Sequence, residues 1–179
     1  MDQLEAAHVG VQVAAGENIA LLFEKSYTQP AWGDEPDHGE VDSDDEIETL
    51  PKLVKRYTVY RQEAQLLHKL EGLAKYSTKS MSKKDKKSLH TNFADIVSSI
   101  EDPRRGPRYS TAINKKGTAV FGSRMKLKIS PSYTMTIDKW WMLHRLKAMK
   151  RVLQNGFLIH YEFNDVVFKS LPVMVEDDE

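Results

Sequence analysis

Six histidines, His8, His38, His68, His90, His144 and His160, are the first side chains to test for acid–base or metal chemistry. No two lie within four residues of each other, so no helical turn can present a metal-binding pair. His144 and His160 are read as separate structural residues. Asp42, Asp44 and Glu46 imitate the opening ligands of a calcium loop, but Ile47 stands where the sharp turn needs glycine. Leu53 stands where the closing bidentate glutamate belongs. The chain has no cysteine, which removes thiol nucleophiles, thiolate metal sites and disulfides, and suits a reducing compartment. There is no glycine-rich phosphate loop and no Gly-x-Ser-x-Gly elbow. In the central stretch, a two-carboxylate hydrolase would have to draw on Glu63, Glu71, Asp95, Glu101, Asp102 or Asp138, and no pair among them is singled out by spacing. The expectation is a non-enzymatic protein with no cofactor, no metal and no small-molecule substrate.

Charge is the stronger signal. Residues 1–50 carry thirteen acids and one base, and nine of those acids fall between Asp34 and Glu48. Residues 51–160 carry 24 bases and seven acids, a net of +17, and the last nineteen residues return to a net of −5. A formally neutral chain is thus an acid–base–acid block pattern, which points to a charged partner for the basic block.

The basic residues form four groups. Lys83, Lys84, Lys86 and Lys87 lie in one run; Arg104, Arg105 and Arg108 in another; Arg124, Lys126 and Lys128 alternate along a stretch of period two; and Lys139, Lys147, Lys150 and Arg151 share the polar arc of a helix. Such a surface neutralises phosphates and releases their counterions, so these fourteen residues are expected to bind a polyanion, either nucleic acid, a nucleoprotein or an anionic membrane surface. Trp140, on the basic side, is placed to stack a base or sit at an interface. Ser43, followed by Asp44, Asp45 and Glu46, is a candidate phosphosite for an acidophilic kinase.

These groups need elements to hold them. Ile19, Leu22 and Phe23 suggest a short helix over 16–25. Residues 28–49 show no periodicity and are read as disordered. Leu53, Tyr57, Tyr60, Ala64 and Leu67 repeat at 4, 3, 4 and 3, predicting a helix over 50–75 opened by Thr49 and Pro51. Ser82 with Asp85 resembles a capping box opening a helix over 82–101, whose stripe is Leu89, Phe93, Ile96, Val97 and Ile100. Beyond Tyr109 the period becomes two. One hairpin is expected around Asn114–Gly117 and a second around Pro131-Ser132. An amphipathic helix follows, capped by Asp138 and ended by Asn155-Gly156, with Ile137, Trp141, Met142, Leu146, Ala148, Met149, Val152 and Leu153 inside. The alternation of Phe157, Ile159, Tyr161 and Phe163, with a turn at Asn164-Asp165, predicts a third hairpin.

The fold class expected is α+β: two N-terminal helices, then antiparallel hairpins with one amphipathic helix packed on the sheet, after a disordered acidic N-terminal segment. The boundaries read as an acidic region at 1–49, a helical region with a basic linker at 50–107, a compact unit at 108–172 and an acidic tail at 173–179. No apolar stretch reaches transmembrane length and the N-terminus has no secretory pattern, so the expected location is intracellular, cytoplasmic or nuclear.

The layout, and above all "SRMKLKISPSYTMTIDKWWMLHRLKAMKRVL", resembles that of the small matrix proteins of rhabdoviruses. That resemblance implies a structural virion protein that condenses nucleoprotein, touches the inner membrane leaflet and self-associates. The acidic N-terminus and the incomplete Pro131-Ser132-Tyr133 motif depart from that family, and it assigns no residue a role here. The alternative reading is a protein–protein adaptor or regulator whose acidic N-terminus binds a basic partner.

Overall fold

A computed structural model describes residues 2–31, 34, 53–76, 81–110, 122–130 and 133–171. The fold is α+β, with helices ahead of small antiparallel hairpins. After a 3-10 turn at Asp2–Glu5, helix α1 spans Val9–Ser26, α2 Glu63–Lys75 and α3 Lys83–Glu101. Strand β1 (Tyr27–Thr28) pairs with β2 (Val54–Lys55), and β3 (Tyr109–Ser110) with β4 (Gly122–Ser123). The longest ribbon joins β5 (Lys126–Ser130) to β6 (Tyr133–Thr136). Helices α4 (Trp140–Leu153), α5 (Phe157–Phe163) and α6 (Asp165–Ser170) complete the chain.

Helix α3 is the centre of the packing. Its stripe of Leu89, Phe93, Ile96, Val97 and Ile100 is buried as the spacing predicts, and α1 and α2 pack on it. Its start follows the sequence too: Ser82 Oγ accepts the Asp85 backbone N–H at 3.1 Å. The apolar face of the β5–β6 ribbon adds Met135 and Ile137 to the same core, to which α4 contributes Trp140, Leu143 and Leu146. Ser123 stitches the loops below: its Oγ lies 2.8 Å from the Pro107 carbonyl and 2.7 Å from that of Ile137, and accepts the Met125 N–H.

Several elements differ from their sequence expectation. The short helix over 16–25 is the second half of an eighteen-residue helix, opened by His8, whose Nδ1 accepts the Gly10 N–H at 3.1 Å. The helix expected over 50–75 starts only at Glu63. Ahead of it, Arg56 donates its backbone N–H to Ser26 at 2.7 Å, and its guanidinium grips Asp34. These ties hold the chain as a strand end, and the two-heptad stripe through Tyr57 is broken. The third hairpin is absent, because Phe157–Phe163 and Asp165–Ser170 are helical. Phe157 and Tyr161, four apart, are buried, whereas Ile159 and Phe163 are exposed. Alternating apolar residues therefore met a helical period, not a strand's. Asn164 caps α6, accepting the Val166 N–H at 3.0 Å, where a turn was expected.

Helix α4 is rotated from its expected phase. Trp140 is buried and Trp141 half-buried, while Ala148 and Val152 face outward. The residue at its N-cap is Lys139, not Asp138, and the left-handed residue at its end is Gln154 (φ 47°), followed by a 3-10 turn through Gly156. The acidic stretch read as disordered, the Asn114–Gly117 turn, the Pro131-Ser132 turn and the tail at 173–179 lie outside the described residues, apart from the flanking positions 28–31 and 34.

Candidate interaction surface

The structure sorts the fourteen expected cationic residues into two kinds. One kind is matched internally. Arg104 and Arg105 converge on Asp102, at 2.8 and 3.4 Å, and Arg105 also lies 5.9 Å from the centre of the Tyr109 ring. Burial pushes the Asp102 carboxyl up, but hydrogen bonds from Arg104 outweigh it and leave the group below the usual aspartate range. Arg108, itself in a left-handed conformation (φ 56°), reaches Asp95 at 3.4 Å. There burial wins and the Asp95 carboxyl is raised in spite of the arginine. Lys147 is tied to Glu17 of α1, a carboxylate whose side chain is 7% exposed. Lys139 sits at the start of α4 and draws Glu24 electrostatically. These side chains serve the fold first.

The other kind stands free. Lys83, Lys84 and Lys87 are exposed and Lys86 half-buried around the first turns of α3, with no ion pair among the described residues. Lys150 lies 6.0 Å from the centre of the Phe157 ring and Arg151 is exposed. Arg124, Lys126 and Lys128 are exposed on the outer side of the β5–β6 ribbon and form no ion pair among the described residues. Ser43 lies outside the described residues. Trp140 offers no stacking platform: its ring is 2% exposed and its Nε1–H donates to Ser99 Oγ at 2.8 Å.

An open groove of about 1070 Å³ runs between the start of α1, the end of α2 and the start of α3. Of its charged lining residues, Glu17 and Lys147 are paired with each other, as are Glu5 and Lys69, and Asp85 accepts the Ser82 hydroxyl at 2.8 Å. Among the described residues no three histidine, aspartate or glutamate side chains gather as a metal site. No described helix is long and apolar enough to cross a membrane.

Sequence reasoning missed an apolar face. Ile159 is 64% exposed and Phe163 78%, four residues apart on α5, and Val166 in the first turn of α6 is 77% exposed. Reading 157–163 as a strand turned Ile159 and Phe163 inward. The four-residue spacing of Phe157 and Tyr161, whose hydroxyl donates to the Leu171 carbonyl at 2.9 Å, was the available signal. Burial pushes that phenol up to about 12.

The family model described as interferon-related developmental regulator (IFRD) matches residues 1–101, ending with the last residue of α3. An uncharacterized protein of Schizosaccharomyces pombe is 29% identical over 157 residues, which is 87% of this chain and 30% of that relative. The chain thus spans less than a third of the length of the curated relative it matches. These similarities overturn the resemblance to rhabdovirus matrix proteins, and with it the reading as a virion assembly protein. That resemblance rested on a strand pair leading into an amphipathic helix, a layout without a specific motif. With more than half of its residues matched, the chain belongs to the interferon-related developmental regulator family.

Proposed function

We propose that this chain is a non-enzymatic regulatory adaptor, which binds a basic amphipathic segment of another protein on the outer face of α5 and α6. The observation that carries this reading is the exposure of Phe163 and Val166 beside Ile159. Large apolar side chains left this exposed so close together in sequence cost solubility and mark sites of association. Glu162 is exposed with no ion pair among the described residues, and Asp165, exposed too, meets only the solvent-exposed Lys169 at 3.6 Å, so a partner with lysines or arginines flanking its apolar residues is complementary to this part of the surface. The acidic run from Asp34 to Glu48 adds long-range attraction for the same kind of partner. The description of the family as a regulator supports the reading. The cysteine-free sequence supports an intracellular setting, cytoplasmic or nuclear.

The test is quantitative co-precipitation with the tagged chain and its Phe163→Asp/Val166→Asp variant, combined with thermal melting of both. We expect the variant to melt like the parent and to lose a defined set of basic protein partners. Retention of every partner by a folded variant overturns the proposal.

A further inference from the structure

We propose that the outer face of the β5–β6 ribbon is a second docking surface, one that takes an extended acidic segment of a partner protein. The face is a small, regular array. Lys126 stands opposite Thr136 and Lys128 opposite Thr134, with Arg124 just before the strand, and all five side chains are exposed. Behind them Met135 is fully buried and Leu127 and Ile129 pack against the core, so the array is held on a fixed support.

Three observations select the occupant. The first is charge: Arg104, Arg105, Arg108 and Lys147 all have carboxylates of this chain within ion-pair distance, whereas Arg124, Lys126 and Lys128 have none among the described residues. The second is spacing. Side chains on one face of a strand recur at about 6.8 Å, and a partner strand with acids at alternate positions repeats at the same interval. The third is the backbone: β5 and β6 pair only with each other among the described residues, which leaves strand edges for an added segment. Single-stranded nucleic acid is the poorer fit, because it needs a ring to stack on. The one ring on the paired strands, Tyr133, has the inward parity of Met135.

This surface is distinct from the α5–α6 face, so the two can fail separately. The test is fluorescence anisotropy of the full chain with three probes: a peptide alternating glutamate and threonine, a peptide of the same composition with its glutamates in one block, and a single-stranded oligouridine. We expect the alternating peptide to bind most tightly. Lys126→Glu/Lys128→Glu is expected to weaken it by about tenfold or more. Lys84→Glu/Arg151→Glu, which changes net charge equally at other exposed positions, is expected to leave it within about twofold. Absence of binding, equal affinity for the two peptides, tighter binding of the oligouridine, or equal losses in the two variants each overturns the proposal.

Discussion

The carboxylate of Glu24 accepts the backbone N–H of Trp140 at 2.6 Å, across 116 positions of sequence, and that of Trp141 at 3.2 Å. The first N–H groups of a helix have no partner inside it. The residue at the start of α4, Lys139, offers none, so a side chain of α1 does the capping from a distance. Glu24 thus fixes how α1 and α4 meet. Burial pushes its carboxyl up, and the two N–H donors offset that only in part.

The Glu24→Ala variant is therefore expected to lose about 1–2 kcal/mol in urea unfolding, the usual cost of a lost cap. The pH dependence follows from the raised value. Between the ordinary glutamate value of 4.5 and its higher folded value, the native state holds the proton more tightly than the unfolded chain. The contribution of Glu24 to stability then falls as pH rises through that window. Glu24→Gln, which keeps one acceptor and does not titrate, should show a flatter stability profile there than the parent. Parallel profiles for the two proteins would contradict the burial of Glu24.

Adjacent tryptophans give a sharp contrast. Trp140 is buried with its indole N–H on Ser99 Oγ, which in turn donates to the Asp95 carbonyl at 2.9 Å. Trp141 is half-buried, with the Arg145 guanidinium 4.9 Å and the Lys25 ammonium 5.6 Å from its ring centre. Trp140→Ala is expected to cost about 3–5 kcal/mol. Trp141→Ala should cost about 1 kcal/mol, from cation–π contacts and partial burial. Chemical denaturation of the two variants checks the order; a larger loss at Trp141 would reverse the helix phase described above.

The same contrast shows what was legible in the sequence. Helix α3 was readable because its cap, its five-residue stripe and its end at Asp102-Pro103 agree with one another. Helix α4 was readable as an element but not in its phase. Two tryptophans in succession made the apolar moment ambiguous, and the partner that decided between them, Glu24, lies far away in the chain. The cationic clusters were readable, but not their partners. Glu17 and Asp95 neutralise Lys147 and Arg108 only once α1, α3 and α4 are packed. The α5–α6 face was hidden because period two and period four coincide over a seven-residue helix.

The sequence puts Lys147 on the polar arc of its helix, among the residues expected to bind a polyanion. Its ammonium instead meets Glu17, whose carboxylate is almost fully buried on α1. Lys147→Glu would set two like charges together with one of them unable to reach water. It is expected to cost about 1–3 kcal/mol, less than breaking a fully buried pair, because the Lys147 end of the pair is half exposed. Lys147→Glu combined with Glu17→Gln should recover much of that loss. A thermal melt series of the parent, the single variants and the double variant measures the coupling. Strict additivity of the two changes would show that the pair does not interact.

Three glycines test the packing from another direction. A Cβ built on Gly106 would fall 1.6 Å from the Asp138 carbonyl oxygen, a backbone atom that cannot swing aside. Gly106→Ala must therefore push the 102–108 loop away from the start of α4, at an expected cost of about 3 kcal/mol. On Gly16, where α1 crosses α3, a Cβ would meet Ile96 Cδ1 at 2.7 Å and Phe93 Cε1 at 2.9 Å. These are side-chain atoms, and the Ile96 methyl can yield, so Gly16→Ala should cost about 1–2 kcal/mol. Gly72, exposed within α2, has nothing within 4 Å of such a Cβ. Alanine there only removes conformational freedom from the unfolded chain, and should raise stability by about 0.5–1 kcal/mol. Urea midpoints of the three variants should fall in that order, Gly106→Ala lowest and Gly72→Ala above the parent. A Gly106→Ala midpoint equal to the parent's would contradict the close passage of the 102–108 loop against Asp138, and with it the Ser123 bridge between Pro107 and Ile137.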